Sequence, residues 1–304
     1  MISQDLDEAK RILLSEGVVA IPTETVYGLA ASIRSSQGLE KIFKLKERPL
    51  FDPLIVHIHD LSQKDEVVSE WPVIAEILAT EFWPGPLTII LSKSTNLNPL
   101  ITAGLSTVAL RMPLHPVAQK LLREVNVPLA APSANKFGKV SPTLARHVEE
   151  EFGEELFVLD GGPSEFGLES TVVRINHDQI EILRPGMITK EKIQDVFMKE
   201  KLKVNIVRAS SLASPGNLET HYQPKIPLAI LSEDTDLVTK LKGKKTVEFI
   251  LSPDPLITAR TLYASLRELS ESGAELIFVR RLAAQNGGAW EAIWDRLNRA
   301  ASLK

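Results

Sequence analysis

Cations and hydroxyls in this chain recur where apolar runs stop. In T-A-G-L-S-T-V-A-L-R-M-P the run Thr107–Leu110 ends at Arg111, and in V-P-L-A-A-P-S-A-N the run Val127–Ala131 ends before Ser133 and Asn135. Short apolar runs flanked by Pro and Gly predict strands covered on both faces, and strand ends are where ligands sit in open α/β sheets. A guanidinium there can hold a carboxylate or phosphate with two parallel hydrogen bonds. Lys46 and Arg48, just ahead of Pro49, have the spacing of a phosphate clamp, and Arg184 stands at an R-P-G corner after another apolar run. The loop P-T-E-T-V-Y-G-L, Pro22 to Leu29, offers the hydroxyls of Thr23 and Thr25 to a small polar ligand. Each motif alone has a plainer explanation. Arg111 can pair on the surface, S-A-N can be an ordinary turn, the Lys46–Arg48 pair can be a solvated helix end that suits the helix dipole, and His57 reads first as a satisfied core histidine. Together they point to one pocket. No second His or carboxylate lies at metal spacing from His57, so no protein-built metal site is expected.

The elements that must carry these residues follow from periodicity. Leu6, Ala9, Ile12 and Leu13 predict a helix with Gly17 at its C-cap, followed by a strand Val18–Ile21. Leu39, Ile42 and Phe43 predict a helix running into K-L-K-E-R-P. Pro53–Ile58 reads as a strand, and Ile74, Ile77, Leu78 and Phe82 as a helix ending at W-P-G-P. Further strands are expected at Leu87–Leu91 and Phe157–Asp160, with a helix starting at Thr143 between them and a hairpin formed by Thr171–Ile175 and Ile180–Leu183. Residues 208–224 are small, polar and poor in periodicity, the composition of a linker, although His221 and Tyr222 are more specific than a spacer needs. Beyond it, strands Ile226–Leu231, Thr246–Leu251 and Glu275–Val279 alternate with helices near Asp236–Leu241, Thr258–Ser270 and Trp290–Ala301, an order that predicts a small, mostly parallel sheet. The domains expected are therefore 1–207, a linker 208–224, and 225–304.

With 304 residues the chain can bury two cores, and 44% hydrophobic with 24% charged residues is ordinary for a globular protein. The net charge of −4 argues against a protein whose main task is gripping a nucleic-acid backbone. Without cysteine there are no disulfides, thiolate nucleophiles or Cys-ligated zinc. The acidic, amphipathic N-terminus is unlike a signal peptide, and no apolar window is long enough to span a membrane, so a cytoplasmic location is expected. Neither G-x-G-x-x-G nor G-x-x-x-x-G-K-[ST] is present, which leaves the usual glycine-loop nucleotide folds unsupported.

The motifs together resemble the YrdC-like threonylcarbamoyl-adenylate synthases. The resemblance is carried by P-T-E-T-V-Y-G-L (Pro22–Leu29), K-x-R-P (Lys46–Pro49), P-L-I-V-H-I (Pro53–Ile58) and W-P-G-P-L-T (Trp83–Thr88). It continues through T-A-G-L-x-T-V-A-L-R-M-P (Thr102–Pro113), A-A-P-S-A-N (Ala130–Asn135), F-G-x-E-S-T (Phe166–Thr171) and L-R-P-G (Leu183–Gly186). S-P-G-x-x-x-x-H-Y-x-P (Ser214–Pro224) and A-I-W-D-R-L-N-R-A-A (Ala292–Ala301) are similar to the longer, two-domain members. This resemblance implies an α/β fold with a twisted, mainly parallel sheet, a smaller Rossmann-like C-terminal domain, and a linker over the pocket. It implies an enzyme that converts L-threonine, bicarbonate (or CO2) and ATP into threonylcarbamoyl-AMP and pyrophosphate, for threonylcarbamoyladenosine in tRNA. Mg²⁺ carried by the nucleotide, downstream threonylcarbamoyl transferase proteins and a weak tRNA contact are the implied accessories. Position by position, the resemblance assigns threonine to Thr25, His57, Arg111, the backbone at Ala131, and Ser170. It assigns ATP to Lys46, Arg48, Asp52, Thr107, Ser133, Asn135, Ser141 and Arg184, with Lys46 and Arg48 closest to the chemistry.

Two positions depart from the family pattern. Asp52 stands where Asn is frequent, and an acid repels a triphosphate unless it is protonated or faces the metal; Glu219 replaces an expected Tyr or Leu. Two rival readings are an RNA-binding module without adenylation activity and a carbamoyl-phosphate-using relative of the hydrogenase-maturation type. The first lacks basic-aromatic stripes, and the second carries zinc-finger segments that a cysteine-free chain cannot build.

Overall fold

The computed structural model describes residues 1–209, 221–231 and 243–302. Ser214–Glu219 and the helix expected near Asp236–Leu241 lie outside the described residues. In chain order the strands are β1 (Ile2–Ser3), β2 (Val19–Ile21), β3 (Gly28–Ser32), β4 (Ile55–His57), β5 (Leu87–Ser92), β6 (Thr107–Arg111), β7 (Leu129–Ala130), β8 (Phe157–Leu159), β9 (Thr171–Asn176), β10 (Gln179–Arg184) and β11 (Asn205–Arg208). They form one sheet in the order β1-β8-β2-β3-β7-β4-β6-β5-β9-β10-β11. β12 (Leu228–Leu231), β13 (Thr246–Glu248) and β14 (Leu276–Arg280) form a second, in the order β12-β14-β13.

The α/β class is as expected, and the small sheet is parallel throughout its described pairs. The large sheet is mixed rather than mainly parallel. β2–β3, β3–β7, β4–β7, β5–β6 and β9–β10 run antiparallel, whereas β1–β8, β2–β8, β4–β6, β5–β9 and β10–β11 run parallel. The connections explain the difference. The loops 22–27 and 177–178 are too short for the crossover that a parallel pair requires, so each folds back as a hairpin. The chain leaves the large sheet after β11 and enters the small one at β12.

Local sequence sets what reaches the site. The helix Leu6–Leu14 starts on Asp5, whose side chain accepts from Glu8 N, and it buries Ala9 and Leu13. Gly17 is not its left-handed cap: Glu16 takes that conformation, with φ 62°. Gly17 is needed because a Cβ there would lie 2.4 Å from Ile12 Cγ2. The helix Ser36–Lys46 is capped by Ser35 and buries Leu39, Ile42, Phe43 and Lys46 on one face. Lys46 stands three or four residues beyond Ile42 and Phe43, so helical periodicity turns its side chain inward. Glu47, with φ 53°, then turns the chain so that Arg48 arrives beside the start of β4. Beyond Asn135 the helix expected from Thr143 begins at Ala145, because Leu144 is still extended.

One apolar core packs Val56, Leu110, Ile89 and Val173 of the sheet against the helices Val73–Phe82 and Lys190–Lys199. Another joins the two parts of the molecule. Leu262, Tyr263, Trp290 and Trp294 of the helices Pro255–Ser270 and Ala289–Ala300 share it with Val26, Val140, Leu168 and Met187 of the large unit and with Tyr222. The C-terminal part is therefore fused to the motif loops by apolar contact, the dominant favourable term in such packing.

Candidate active site

An open cleft of about 580 Å³, counting the solvent at its mouth, runs along β4 and β6. The two strands are parallel, with Ile55 opposite Ala109 and His57 opposite Arg111. Side chains alternate across a strand, so Thr107, Ala109 and Arg111 share one face, as do Ile55 and His57. Thr107 lies four residues, roughly 13 Å, from Arg111 along β6. Of the residues expected to bind ligand, Thr25, Arg48, His57, Arg111, Ala131, Ser133, Ser170 and Arg184 line the cleft. Lys46, Asp52, Thr107, Asn135 and Ser141 do not.

At one end the Arg111 guanidinium is fixed by three contacts. Nη2 donates to Glu24 Oε1 at 2.6 Å, Nη1 to Thr25 Oγ1 at 2.9 Å, and Nε to the Gly85 carbonyl at 3.3 Å. Both members of the Arg111–Glu24 ion pair are buried. An arginine carries five N–H donors, so one on each terminal nitrogen remains for a ligand. Thr25 Oγ1 is held in turn by Thr23 Oγ1 at 2.8 Å. His57 Nδ1 lies 3.2 Å from the Ile55 carbonyl, which assigns the proton to Nδ1 and leaves Nε2 as an acceptor. Burial, reinforced by the Arg111 charge, pushes the His57 pKa down to about 3, so the ring is neutral at pH 7. Ser170 Oγ, at the start of β9, shares a hydrogen bond with Thr88 Oγ1 at 2.7 Å.

The other end gathers positive charge. Arg48 Nε donates to the Asp52 carbonyl at 3.0 Å and Nη2 to the Pro53 carbonyl at 2.8 Å, while Nη2 also lies 2.9 Å from Asp52 Oδ2. Asp52 is thus the counter-ion that orients Arg48, which answers the objection to an acid at this position. Lys46 Nζ donates to the Ser133 and Asn135 carbonyls, both at 2.5 Å, and ties the S-A-N loop to the helix Ser36–Lys46. Burial and the neighbouring Arg48 hold its pKa well below that of an ordinary lysine. Asn135 Nδ2 donates to the Lys136 and Lys139 carbonyls, and its buried Oδ1 has no hydrogen-bond partner. Arg184 reaches in from the end of β10, donating from Nε to the Ser170 carbonyl at 3.1 Å and from Nη2 to Ser170 Oγ at 3.2 Å. Burial lowers the pKa of both Arg48 and Arg184, and each guanidinium feels other positive charge nearby.

Sequence reasoning missed the acids. Glu24 and Glu169 sit inside the quoted motifs P-T-E-T and F-G-L-E-S-T, but their partners lie far away in the chain. Glu169 lines the cleft and is a hub: Oε1 accepts from Ser141 Oγ at 2.6 Å, and Oε2 accepts from Tyr263 OH at 2.8 Å and from Arg296 Nε at 2.9 Å. Burial alone would raise its pKa, but Arg296, Arg184 and the Ser141 hydroxyl outweigh that and hold it down at about 2. His221 and Tyr222, from the end of the linker, also line the cleft. Burial, opposed by Glu169 and aided by Arg48, Lys46 and Arg184, brings His221 down to about 3. Gln223 N donates to the Gly138 carbonyl at 2.8 Å, which fixes this strap to the loop beyond Asn135. Among the described residues, no group of three His, Cys, Asp or Glu is placed to hold a metal, and no helix is long and apolar enough to cross a membrane.

These features define a two-domain α/β protein with a small-ligand cleft, and comparison with known proteins gives the family. The profile of the Sua5/YciO/YrdC family, described as telomere recombination, matches residues 11–186, and that of the threonylcarbamoyl-AMP synthase C-terminal domain matches residues 188–302. Threonylcarbamoyl-AMP synthase of Bacillus subtilis is 38% identical over 97% of this chain and 92% of its own. That of Pyrococcus abyssi is 36% identical over 94% and 91%. The crystal structure of P. abyssi Sua5 complexed with L-threonine superposes with a TM-score of 0.87 at 34% identity, covering 97% of this chain and 94% of that one. The chain belongs to the threonylcarbamoyl-AMP synthase family, in its two-domain form.

Proposed function

We propose that the protein joins L-threonine, bicarbonate or CO2, and ATP into threonylcarbamoyl-AMP with release of pyrophosphate, the activated group then serving threonylcarbamoyladenosine formation in tRNA. The observation that carries this reading is the polarity of the trough. Arg111 and His57 stand at one end, Arg48 and Arg184 gather towards the other, and the apolar side chains of Pro53, Ile55 and Pro132 also line it. The threonine carboxylate takes the two free N–H groups of Arg111 as a bidentate pair. Neutral His57 accepts at Nε2 from the amino acid's hydroxyl or amine, and Thr25 and Ser170 complete that end. Arg48, Arg184 and Ser133 meet the triphosphate, with Thr107, Asn135 and Ser141 around the nucleotide. The buried cations favour a small anion over a polynucleotide backbone, which cannot reach them.

The threonine amine adds to CO2 and loses a proton, giving a carbamate. A carbamate oxygen attacks the α-phosphorus, the bond to the β-phosphate oxygen breaks, and pyrophosphate leaves. No enzyme nucleophile is required. The chain contributes alignment of the two reactants and fixed positive charge where the leaving pyrophosphate gathers negative charge. Mg²⁺ enters with the triphosphate and neutralises part of its charge. Lys46 acts beneath the site by holding the Ser133–Asn135 loop.

The test is pyrophosphate release by the purified chain with ATP and Mg²⁺, with threonine and bicarbonate each supplied or withheld. Release that requires both supports the reading. Equal release without threonine would overturn it.

A further inference from the structure

Arg296 is fully buried (0% exposed) on the helix Ala289–Ala300, yet its partners belong to the cleft. Nε holds Glu169 Oε2, Nη2 lies 3.5 Å from the Glu169 carbonyl, and the guanidinium sits over the Tyr222 ring at 5.4 Å. Nη1 is anchored by Asp295 Oδ2 at 2.8 Å. Tyr263, on the other C-terminal helix, donates to the same Glu169 oxygen and stacks on Tyr222 with ring centroids 5.6 Å apart. Two C-terminal residues therefore grip both Glu169 in the wall of the cleft and Tyr222, which also lines it.

The consequences run to residues that the synthase reading gives to the nucleotide: Ser141, buried behind the cleft wall, and Arg184, which lines it. Ser141 Oγ gives its proton to Glu169, so towards a nucleotide it can only accept, which suits a ribose hydroxyl or a base amino group and not a phosphate oxygen. Ser170, the neighbour of Glu169 in the chain, receives Arg184 at both its carbonyl and its hydroxyl. The hydroxyl end of the nucleotide site and its arginine are thus both set by where Glu169 stands. Ser170 alone touches both ends, and the Arg111 guanidinium itself shares none of these contacts. Its supports are Glu24, Thr25 and Gly85.

We propose that Arg296 and Tyr263 are positioning residues for the nucleotide: through Glu169 they orient Ser141 and the Ser170–Arg184 corner, and through Tyr222 they seat the strap. The C-terminal domain then completes ATP binding rather than serving as an appended module. This deepens the synthase reading and rests on it.

The experiment uses the full chain and four variants, Arg296→Met, Arg296→Lys, Tyr263→Phe and the double variant Glu169→Gln/Arg296→Met. For each, a thermal melt is recorded, binding of ATP alone and threonine alone is measured by calorimetry, and KM is determined for both substrates. Arg296→Met strands the Glu169 charge, so it should melt earlier and bind ATP at least tenfold more weakly, with threonine binding within twofold of the parent. Arg296→Lys should recover part of the ATP affinity, and Tyr263→Phe should lose about threefold for ATP alone. In the double variant the stranded charge is gone and the melting temperature recovers, but Ser141 and the strap are no longer held, so weak ATP binding persists. If the double variant recovers both, Arg296 is purely structural and the proposal fails. Equal losses for ATP and threonine would overturn it as well. ATP binding is read without turnover, so a parent chain that binds ATP but releases no threonine-dependent pyrophosphate would defeat the synthase reading and still decide this one.

Discussion

Replacing Asp52 by Asn tests whether this acid serves Arg48 or the nucleotide. Its carboxylate lies 2.9 Å from Arg48 Nη2 with both side chains nearly buried. Breaking a buried ion pair outright costs about 3–5 kcal/mol. Here Arg48 keeps the Asp52 and Pro53 carbonyls, so the loss is that of one close charge contact and only part of this, about 2 kcal/mol. For 304 residues that is a fall in Tm of roughly 3 °C without ligand. ATP should then reverse the effect, because its phosphates supply the negative charge that Asp52 gave and meet one less acid. The Asn variant should bind ATP about three- to tenfold more tightly, around 1 kcal/mol, and gain more in Tm from ATP than the parent does. Scanning calorimetry across an ATP series, with KM for ATP, measures both. An unchanged Tm together with a tenfold rise in KM for ATP would refute the reasoning and place Asp52 on the nucleotide or its metal.

The remaining predictions concern the other end of the trough and acid stability. Arg111→Lys removes the fork that spans Glu24, Thr25 and a carboxylate, so the Kd for threonine should rise roughly thirtyfold or more, about 2 kcal/mol, with ATP affinity within twofold; calorimetry with each ligand separates this from a general loss of structure, which would weaken both. His147 is buried away from the cleft, accepts from Thr143 N at Nδ1, and is pushed down to about 4 chiefly by burial. Its folded pKa lies below the unfolded value of about 6.5, so the unfolded chain binds the proton first. Stability is full above that value and falls as pH drops towards 4, by at most about 1.4 kcal/mol per unit for this group. His57 and His221, both about 3, act in the same direction. His147→Gln should make the decline in urea midpoint between pH 6.5 and pH 4 shallower, and a parallel decline would remove His147 from the account.

How much of this was legible in the sequence depended on the range of the interaction. Strand ends were readable because apolar runs stop at Arg111 and Arg184, and the structure brings both to one cleft. Sheet direction was not. It is set by whether a connection returns beside its own strand, and the loop 22–27 shows its hydroxyls more plainly than the hairpin its length imposes. The inward turn of Lys46 was readable from its place on the face of Leu39, Ile42 and Phe43, but a lysine ahead of Arg-Pro reads more readily as a surface clamp. Glu169 and Arg296 are 127 residues apart, and nothing local to either one signals the other.

Those acids change what the site is. Each arginine around the cleft already has an acid close by: Arg111 pairs with Glu24, Arg48 with Asp52, and Arg184 stands beside Glu169, which Arg296 also holds. A buried guanidinium with no counter-charge would be expelled to solvent or would destabilise the fold. The acids let the cleft keep its cations in place before any ligand arrives, and Glu24 leaves one N–H on each terminal nitrogen of Arg111 uncovered. On the proposed reading the threonine carboxylate then meets donors already aimed, and little free energy is lost in rearranging them. On this argument Asp52, Glu24 and Glu169 matter to catalysis without touching the reacting atoms. Neutralising any one of them should disturb the orientation of its own arginine before it disturbs the others.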